Sequence, residues 1–310
     1  MGTRIEAVSA QVGAGRRKAT ARRLADDAAR SCFALAGRSP DDIDMLINVG
    51  TYREDNMGEP ALAALIQQDI GASLSRPPAG RTGTFSFDLL NGACGAITAV
   101  QVEAGLLQSG VIRLGAVVSS DVQPDLGSPP AAPLRPAGGA ILLRWQEDFP
   151  GFTAFGTETF PEYADLFTSG LVWRERRGIR LPRRGNGRNG MVITVRPGYQ
   201  ARLADCAEEA ARRFLRRVGL GMADIDLLVP APSGPEFLDP LLARLGVPGD
   251  RVAYTPEDLE GTYTTGLIAA LQAAVRSGRL GEASNTLLLA AGPGVTVAFA
   301  LYQQTAREAG

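Results

Sequence analysis

Histidine is absent from the 310 residues, and lysine occurs once, at Lys18. Imidazole is the usual general base near neutral pH and a common ligand of transition metals. Its absence leaves acid–base chemistry to carboxylates, tyrosines, cysteines or water, and speaks against a zinc hydrolase or a Ser-His-Asp enzyme. A single lysine likewise removes most Schiff-base mechanisms. Cysteine is scarce: Cys32, Cys94 and Cys206 are an odd number at wide spacings, which argues against a disulfide framework and a cysteine-only metal cage. Reduced thiols are expected, and no metal site or resident cofactor. No stretch approaches the roughly 18 apolar residues of a membrane span, and no apolar run follows the charged N-terminus. A soluble, cytoplasmic protein without a membrane partner is expected. The formal net charge is −1, so no global field points to nucleic acid.

What is present is repetition in a chain that is 45% hydrophobic. Leu24-Ala-Asp-Asp-Ala28 pairs with Leu203-Ala-Asp-Cys-Ala207, and Asp42-Ile-Asp-Met-Leu46 with Asp224-Ile-Asp-Leu-Leu228. In both copies an Ala/Arg-rich segment of helical period (19–36 and 201–218) leads through a polar turn into a β-type run. Further on, helical segments 96–108 and 267–276 both end in Ser-Gly, a C-cap signal, and both precede apolar strands. Helices alternating with fully apolar strands imply sheets covered on both faces, hence a layered α/β fold of two halves related by a pseudo-two-fold axis. The halves are read as 1–150 and 191–310, joined by a connector over 151–190 whose Gly, Pro and Arg residues interrupt both periodicities. In this register Cys94 falls opposite Thr262.

Phe85-Ser-Phe-Asp-Leu-Leu90 reads as a short strand, Asn91-Gly-Ala93 as a tight turn and Gly95 to Val100 as the start of a helix. Cys94 stands at the junction, where unpaired N–H groups and the helix dipole favour a thiolate and can lower a cysteine pKa into roughly 3.5–7.5. Cys94 is therefore the candidate nucleophile, a buried structural thiol being the alternative. Cys32 and Cys206 lie inside helices and read as structural.

With Phe87-Asp-Leu-Leu-Asn-Gly-Ala-Cys94-Gly95, the strand end Ser119-Ser-Asp121, Ala223-Asp-Ile-Asp-Leu-Leu-Val-Pro230 and Ala291-Gly-Pro-Gly-Val-Thr296, the chain resembles the thiolase superfamily and, within it, the ketosynthase III-like proteins (β-ketoacyl-ACP synthase III). The resemblance implies a five-layer αβαβα fold, a homodimer or a heterodimer with another ketosynthase, and transfer of an acyl group from an acyl carrier protein or coenzyme A thioester onto the cysteine.

The chain also departs from that pattern. The family sets a histidine after the Val-Pro of a C-terminal strand and an asparagine after the glycine that opens the last long helix. Those places hold Ala231 and Thr262, so decarboxylative chain extension loses its machinery. The glycine triplet of the oxyanion hole reads Gly292-Pro293-Gly294. Proline has no N–H to offer, which either removes a donor, leaving Gly294 or Cys94 to substitute, or merely stiffens a turn. Glu59, in Arg53-Glu-Asp-Asn-Met-Gly-Glu59-Pro60, matches the glutamate that serves as base across the dimer interface in superfamily members that join two acyl chains; dipole complementarity at a helix start is the other reading. Glu236, Asp239 and Glu260, read as loop residues, are weaker candidates. Arg176, Arg177, Arg183 and Arg184 would dock an acidic carrier protein or phosphopantetheine phosphate, or form a solvated loop. The family's coenzyme A-gripping segment is shortened around Gly13-Ala-Gly15, which favours a carrier-protein donor. The expected activity is acyl transfer or non-decarboxylating condensation in polyketide, fatty acid or other specialised metabolism; the alternatives are a non-catalytic ketosynthase-like partner subunit and a thioester hydrolase.

Overall fold

A computed structural model describes residues 2–12, 19–54, 58–77, 79–80, 82–123, 134–175, 187–231, 235–253 and 261–304. The first half runs β1 (Gly2–Val12), α1 (Ala21–Ala36), β2 (Met45–Asn48), α2 (Leu62–Ile70), β3 (Phe85–Asp88), α3 (Gly95–Gln108), β4 (Leu114–Asp121) and β5 (Ala137–Gln146). The second runs β6 (Gly151–Thr159), the ribbon strands β7 (Phe167–Glu175) and β8 (Gly187–Val195), α4 (Tyr199–Arg217), β9 (Leu227–Pro230), α5 (Pro235–Leu245), α6 (Gly266–Arg276), α7 (Arg279–Glu282), β10 (Asn285–Gly292) and β11 (Thr296–Gln303).

Local chemistry sets these boundaries. Thr20 opens α1 by accepting the Arg23 N–H at 3.2 Å, and left-handed Gly37 closes it. The carboxylate of Asp88, at the end of β3, accepts the N–H groups of Leu62 and Ala63 at 2.8 Å each. An anion thus sits on the first turn of α2, where the helix dipole favours it.

The strand order is β3-β2-β4-β5-β1-β6-β11-β10-β9. Read outward from the middle, both halves repeat one plan. β1 and β6 are the inner strands, β5 and β11 lie antiparallel beside them, β4 and β10 come next, and β2 and β9 run parallel to those. β3 completes the first half, and its counterpart is marked by a parallel bridge from Val252 to Leu228. Within the sheet the two halves are joined where β1 pairs with β6, at Thr3 and Phe152.

Three cores alternate with the two sheet halves. One gathers α1 and α2 against β2, β4 and β5, and another gathers α4 and α5 against β9, β10 and β11. Between the sheet halves lies the third, built on α3 and α6 with Ile97, Val100, Ile268 and Leu271. The result is the expected αβαβα layering with two pseudo-symmetric halves. α3 and α6 occupy the middle layer, which fits their largely apolar sequences.

Two expectations change. Each middle-layer helix is preceded by a single 3-10 turn, Gly92–Cys94 in one half and Tyr263–Thr265 in the other. The residue equivalent to Cys94 is therefore Thr265, and Thr262 lies three positions earlier. Within the stretch read as a connector, residues 151–159 form β6 of the main sheet and residues 167–175 pair with 187–195 as the antiparallel ribbon β7–β8. The two strands pair without a register break from Phe167–Val195 to Glu175–Gly187, so their glycines did not break the ladder.

Candidate active site

Cys94 ends the 3-10 turn that carries the chain from β3 into α3. It is 1% exposed, and its Sγ faces the carbonyl oxygens of Ala290 at 3.5 Å and Thr296 at 3.4 Å rather than capping the helix. Burial pushes this thiol up to about 12. The helix start was expected to favour the thiolate. Dehydration in the middle layer outweighs a dipole worth typically 0.3–1 and at most about 2 kcal/mol. Burial likewise pushes Cys32 up to about 12 and Cys206 up to about 11, both inside helices as expected.

A cavity of about 470 Å³ opens over Cys94, lined by Tyr52, Leu90, Phe167, Met191 and Tyr263 and floored by the 292–294 turn. Both Pro293 and Gly294 thus reach the site, at the hairpin between β10 and β11. The Cys94 N–H already donates to the Asn91 carbonyl at 3.0 Å. Ala231 follows β9, fully buried, with its N–H on the Leu289 carbonyl at 2.7 Å. Thr262 is buried with its Oγ1 lacking a hydrogen-bond partner among the described residues. Both were read as pocket positions, yet neither is among the residues that line the cavity. Neither side chain can act as a base.

Two tyrosines, Tyr52 and Tyr263, are among the side chains that line the sulfur's cavity. The rings of Tyr52 and Tyr263 pack at a tilt of 42° with centroids 5.0 Å apart, and Tyr199 packs against Phe167 at 5.6 Å. Burial raises all three phenols, which stay protonated at neutral pH. Tyr263 takes a left-handed φ of 43°, a conformation that costs a residue with a side chain about 1–2 kcal/mol.

Asp121, at the end of β4, holds both tyrosine-bearing segments. Its Oδ1 accepts the N–H groups of Thr51 at 3.0 Å and Tyr52 at 2.8 Å; its Oδ2 accepts the Thr264 N–H at 3.0 Å and the Thr264 hydroxyl. Complete burial lifts this carboxyl to about 6, with the four donors working against that rise. In the sequence Asp121 stands out only as part of the Ser119-Ser-Asp121 motif, and neither its grip on both segments nor the tyrosines are evident there. The available signal was the lack of histidine, which left phenols among the few groups able to move or share a proton.

The sequence comparison decides the family. Over 291 residues, 91% of this chain and 83% of the relative, the chain is 31% identical to the β-ketoacyl-[acyl-carrier-protein] synthase III of Acidiphilium cryptum. It belongs to the synthase III family. Residues 215–304 match the model of the 3-oxoacyl-[acyl-carrier-protein] synthase III C-terminal region. This synthase III family member also shares its fold with solved structures. FabH of Pseudomonas aeruginosa superposes with a TM-score of 0.74 at 18% identity, covering 99% of this chain and 100% of that one. OleA of Xanthomonas campestris, crystallised with lauric acid and lauroyl-CoA, gives 0.77 at 15%, covering 98% and 99%.

The remaining candidates lie away from the cavity. Glu59 is exposed in the loop before α2 and does not line its own chain's pocket. Glu236 and Asp239 sit exposed on α5 rather than in a loop. Glu260, Arg176, Arg177, Arg183, Arg184 and the Gly13-Ala-Gly15 stretch lie outside the described residues. Among the described residues no group of three or more His, Cys, Asp or Glu is placed to hold a metal, and no helix is long and apolar enough to cross a membrane.

Proposed function

We propose that this synthase III family member is an acyltransferase or non-decarboxylating condensing enzyme of specialised metabolism. Cys94 takes an acyl group from an acyl carrier protein or coenzyme A thioester and passes it to a second substrate. One observation carries the reading: a cysteine faces a cavity of about 470 Å³ at a helix start, while Ala231 and Thr262 offer no base for decarboxylation. Glu59, exposed and outside its own pocket, serves the pocket of a second copy as general base. Arg176, Arg177, Arg183 and Arg184 receive the carrier protein.

Incubation with a panel of acyl-carrier and acyl-CoA thioesters, followed by intact-mass measurement, tests the reading. An acyl adduct that disappears in Cys94→Ala is expected; the absence of any adduct with every donor overturns it. Free acid released without an acceptor assigns thioester hydrolysis instead.

A second reading, a non-catalytic partner subunit of another ketosynthase, is supported by the sealed environment of the thiol, 1% exposed against two carbonyl oxygens. Co-purification separates the two. A stable homodimer whose activity is lost in Cys94→Ala contradicts the structural role.

A further inference from the structure

Attack of Cys94 on a thioester moves negative charge onto the carbonyl oxygen, and a pre-placed N–H or O–H donor must meet it. Of the backbone positions Cys94, Pro293 and Gly294, two are compromised, which leaves the Gly294 N–H as the backbone donor beside the cavity. Pro293 has no N–H, and the Cys94 N–H is engaged with Asn91 at 3.0 Å. A hydroxyl stands in their neighbourhood. The Tyr263 Oη lies 2.9 Å from the point where a Cβ on Gly92 would be, and the Pro293 Cδ lies 3.9 Å from the same point. Gly92, left-handed at φ 49°, is two residues before Cys94 and leaves that space to the phenol. All of them border one cavity.

The hydroxyl is also held in place. The ring packs against Tyr52 at a tilt of 42° with centroids 5.0 Å apart, the two phenols share a side-chain hydrogen bond that an incoming carbonyl oxygen would have to replace, and the next residue, Thr264, is gripped by Asp121 through backbone and side chain. A rigid donor is what such stabilisation requires, because no reorganisation is then needed as charge develops. We propose that the Tyr263 hydroxyl is an oxyanion donor of this site, hydrogen-bonding the acyl carbonyl oxygen as the Cys94 sulfur adds to it. The inference rests on the acyl-transfer reading above. In the step the Cys94 S–C bond forms, the donor's C–S bond breaks and the thiol proton leaves on the departing sulfur. Tyr263 keeps its own proton throughout, in keeping with a buried phenol held well above its ordinary pKa.

Tyr263→Phe keeps the ring and its packing while deleting the donor. Two readouts are taken with the same acyl thioester: the single-turnover rate of Cys94 acylation by intact mass, and the infrared frequency of an isotope-labelled acyl carbonyl on Cys94. A fall of about 10²–10³ in rate is expected, as for loss of one oxyanion donor elsewhere, together with an upward shift of the carbonyl stretch. An unchanged rate overturns the proposal. So does a slowed rate with an unchanged carbonyl frequency, which assigns Tyr263 to packing alone. If Tyr263→Phe fails to fold, replacing Tyr263 by a ring-fluorinated tyrosine gives the same test, a stronger donor lowering the carbonyl frequency and no shift overturning the proposal. A wild-type protein that acquires no adduct from any donor overturns the acyl-transfer reading, and the inference falls with it.

Discussion

Cys94 and Glu103 set the character of the interior at the scale of single residues. The Cys94 thiol, pushed up to about 12 by burial, is almost wholly protonated at neutral pH, so its thiolate fraction rises tenfold per pH unit below that value. Alkylation by iodoacetamide, followed by mass spectrometry, is expected to accelerate by about 100-fold between pH 7 and pH 9; a plateau near pH 8 would contradict a buried thiol. Glu103 is fully buried on α3, neither carboxyl oxygen has a hydrogen-bond partner among the described residues, and burial holds its pKa well above the ordinary value. A carboxyl raised on folding contributes most below its unfolded pKa of about 4.3, and that contribution declines as pH rises toward the folded value. Urea unfolding from pH 4.5 to 8 should therefore show wild-type stability falling relative to Glu103→Gln, by at most about 1.4 kcal/mol per pH unit. The cysteine was legible in the sequence because a strand, a tight turn and a helix start bracket it. Its raised pKa was not, because solvation depends on which sheet closes over the sulfur. The tyrosines escaped for a similar reason: Tyr52, Tyr199 and Tyr263 are far apart in the chain and meet only through the layering.

At the scale of elements, the layers are spaced by small residues on the strands. β5 carries Gly138 and Gly139 back to back; a Cβ on Gly138 would collide with the Leu24 carbonyl of α1, and one on Gly139 would press Ile268 of α6 at 3.0 Å. Backbone cannot yield as a flexible side chain can. Gly138→Ala should destabilise by about 1–3 kcal/mol, the usual range for overpacking, read as a lower urea midpoint with an unchanged slope. Helices α1, α3, α4 and α6 follow the expected spans within a residue or two, since apolar periodicity and Ser-Gly ends mark them. The apolar run that follows Gly110 enters strand β4 only at Leu114, because the Val111 and Ile112 N–H groups still turn back onto the Leu106 carbonyl of α3. The ribbon β7–β8 was read as a break, since its glycines and arginines hide a pairing that needs only two strands.

For the whole molecule, the repeated strand order was foreshadowed by the two internal sequence matches, which fall on α1 and α4 and on the entries to β2 and β9. What the matches did not reveal is the open flank. β3 terminates the sheet, and it displays Phe85 at 63% exposure with Leu90 just beyond at 65%. An apolar edge strand invites pairing with another chain. Light scattering should report a dimer, and Phe85→Arg should shift it toward monomer without lowering the melting temperature of the monomeric fraction. A single mass insensitive to Phe85→Arg would place the contact elsewhere. The equivalence of Cys94 and Thr265 has a consequence of its own. Ancestral doubling leaves a scaffold that is specified twice over, so reactive groups at one elbow can drift while both elbows go on being built. Ala231 and Thr262 are both buried, so a larger side chain at either place would have to be accommodated by the packing of its own half as well as by the chemistry of the cavity.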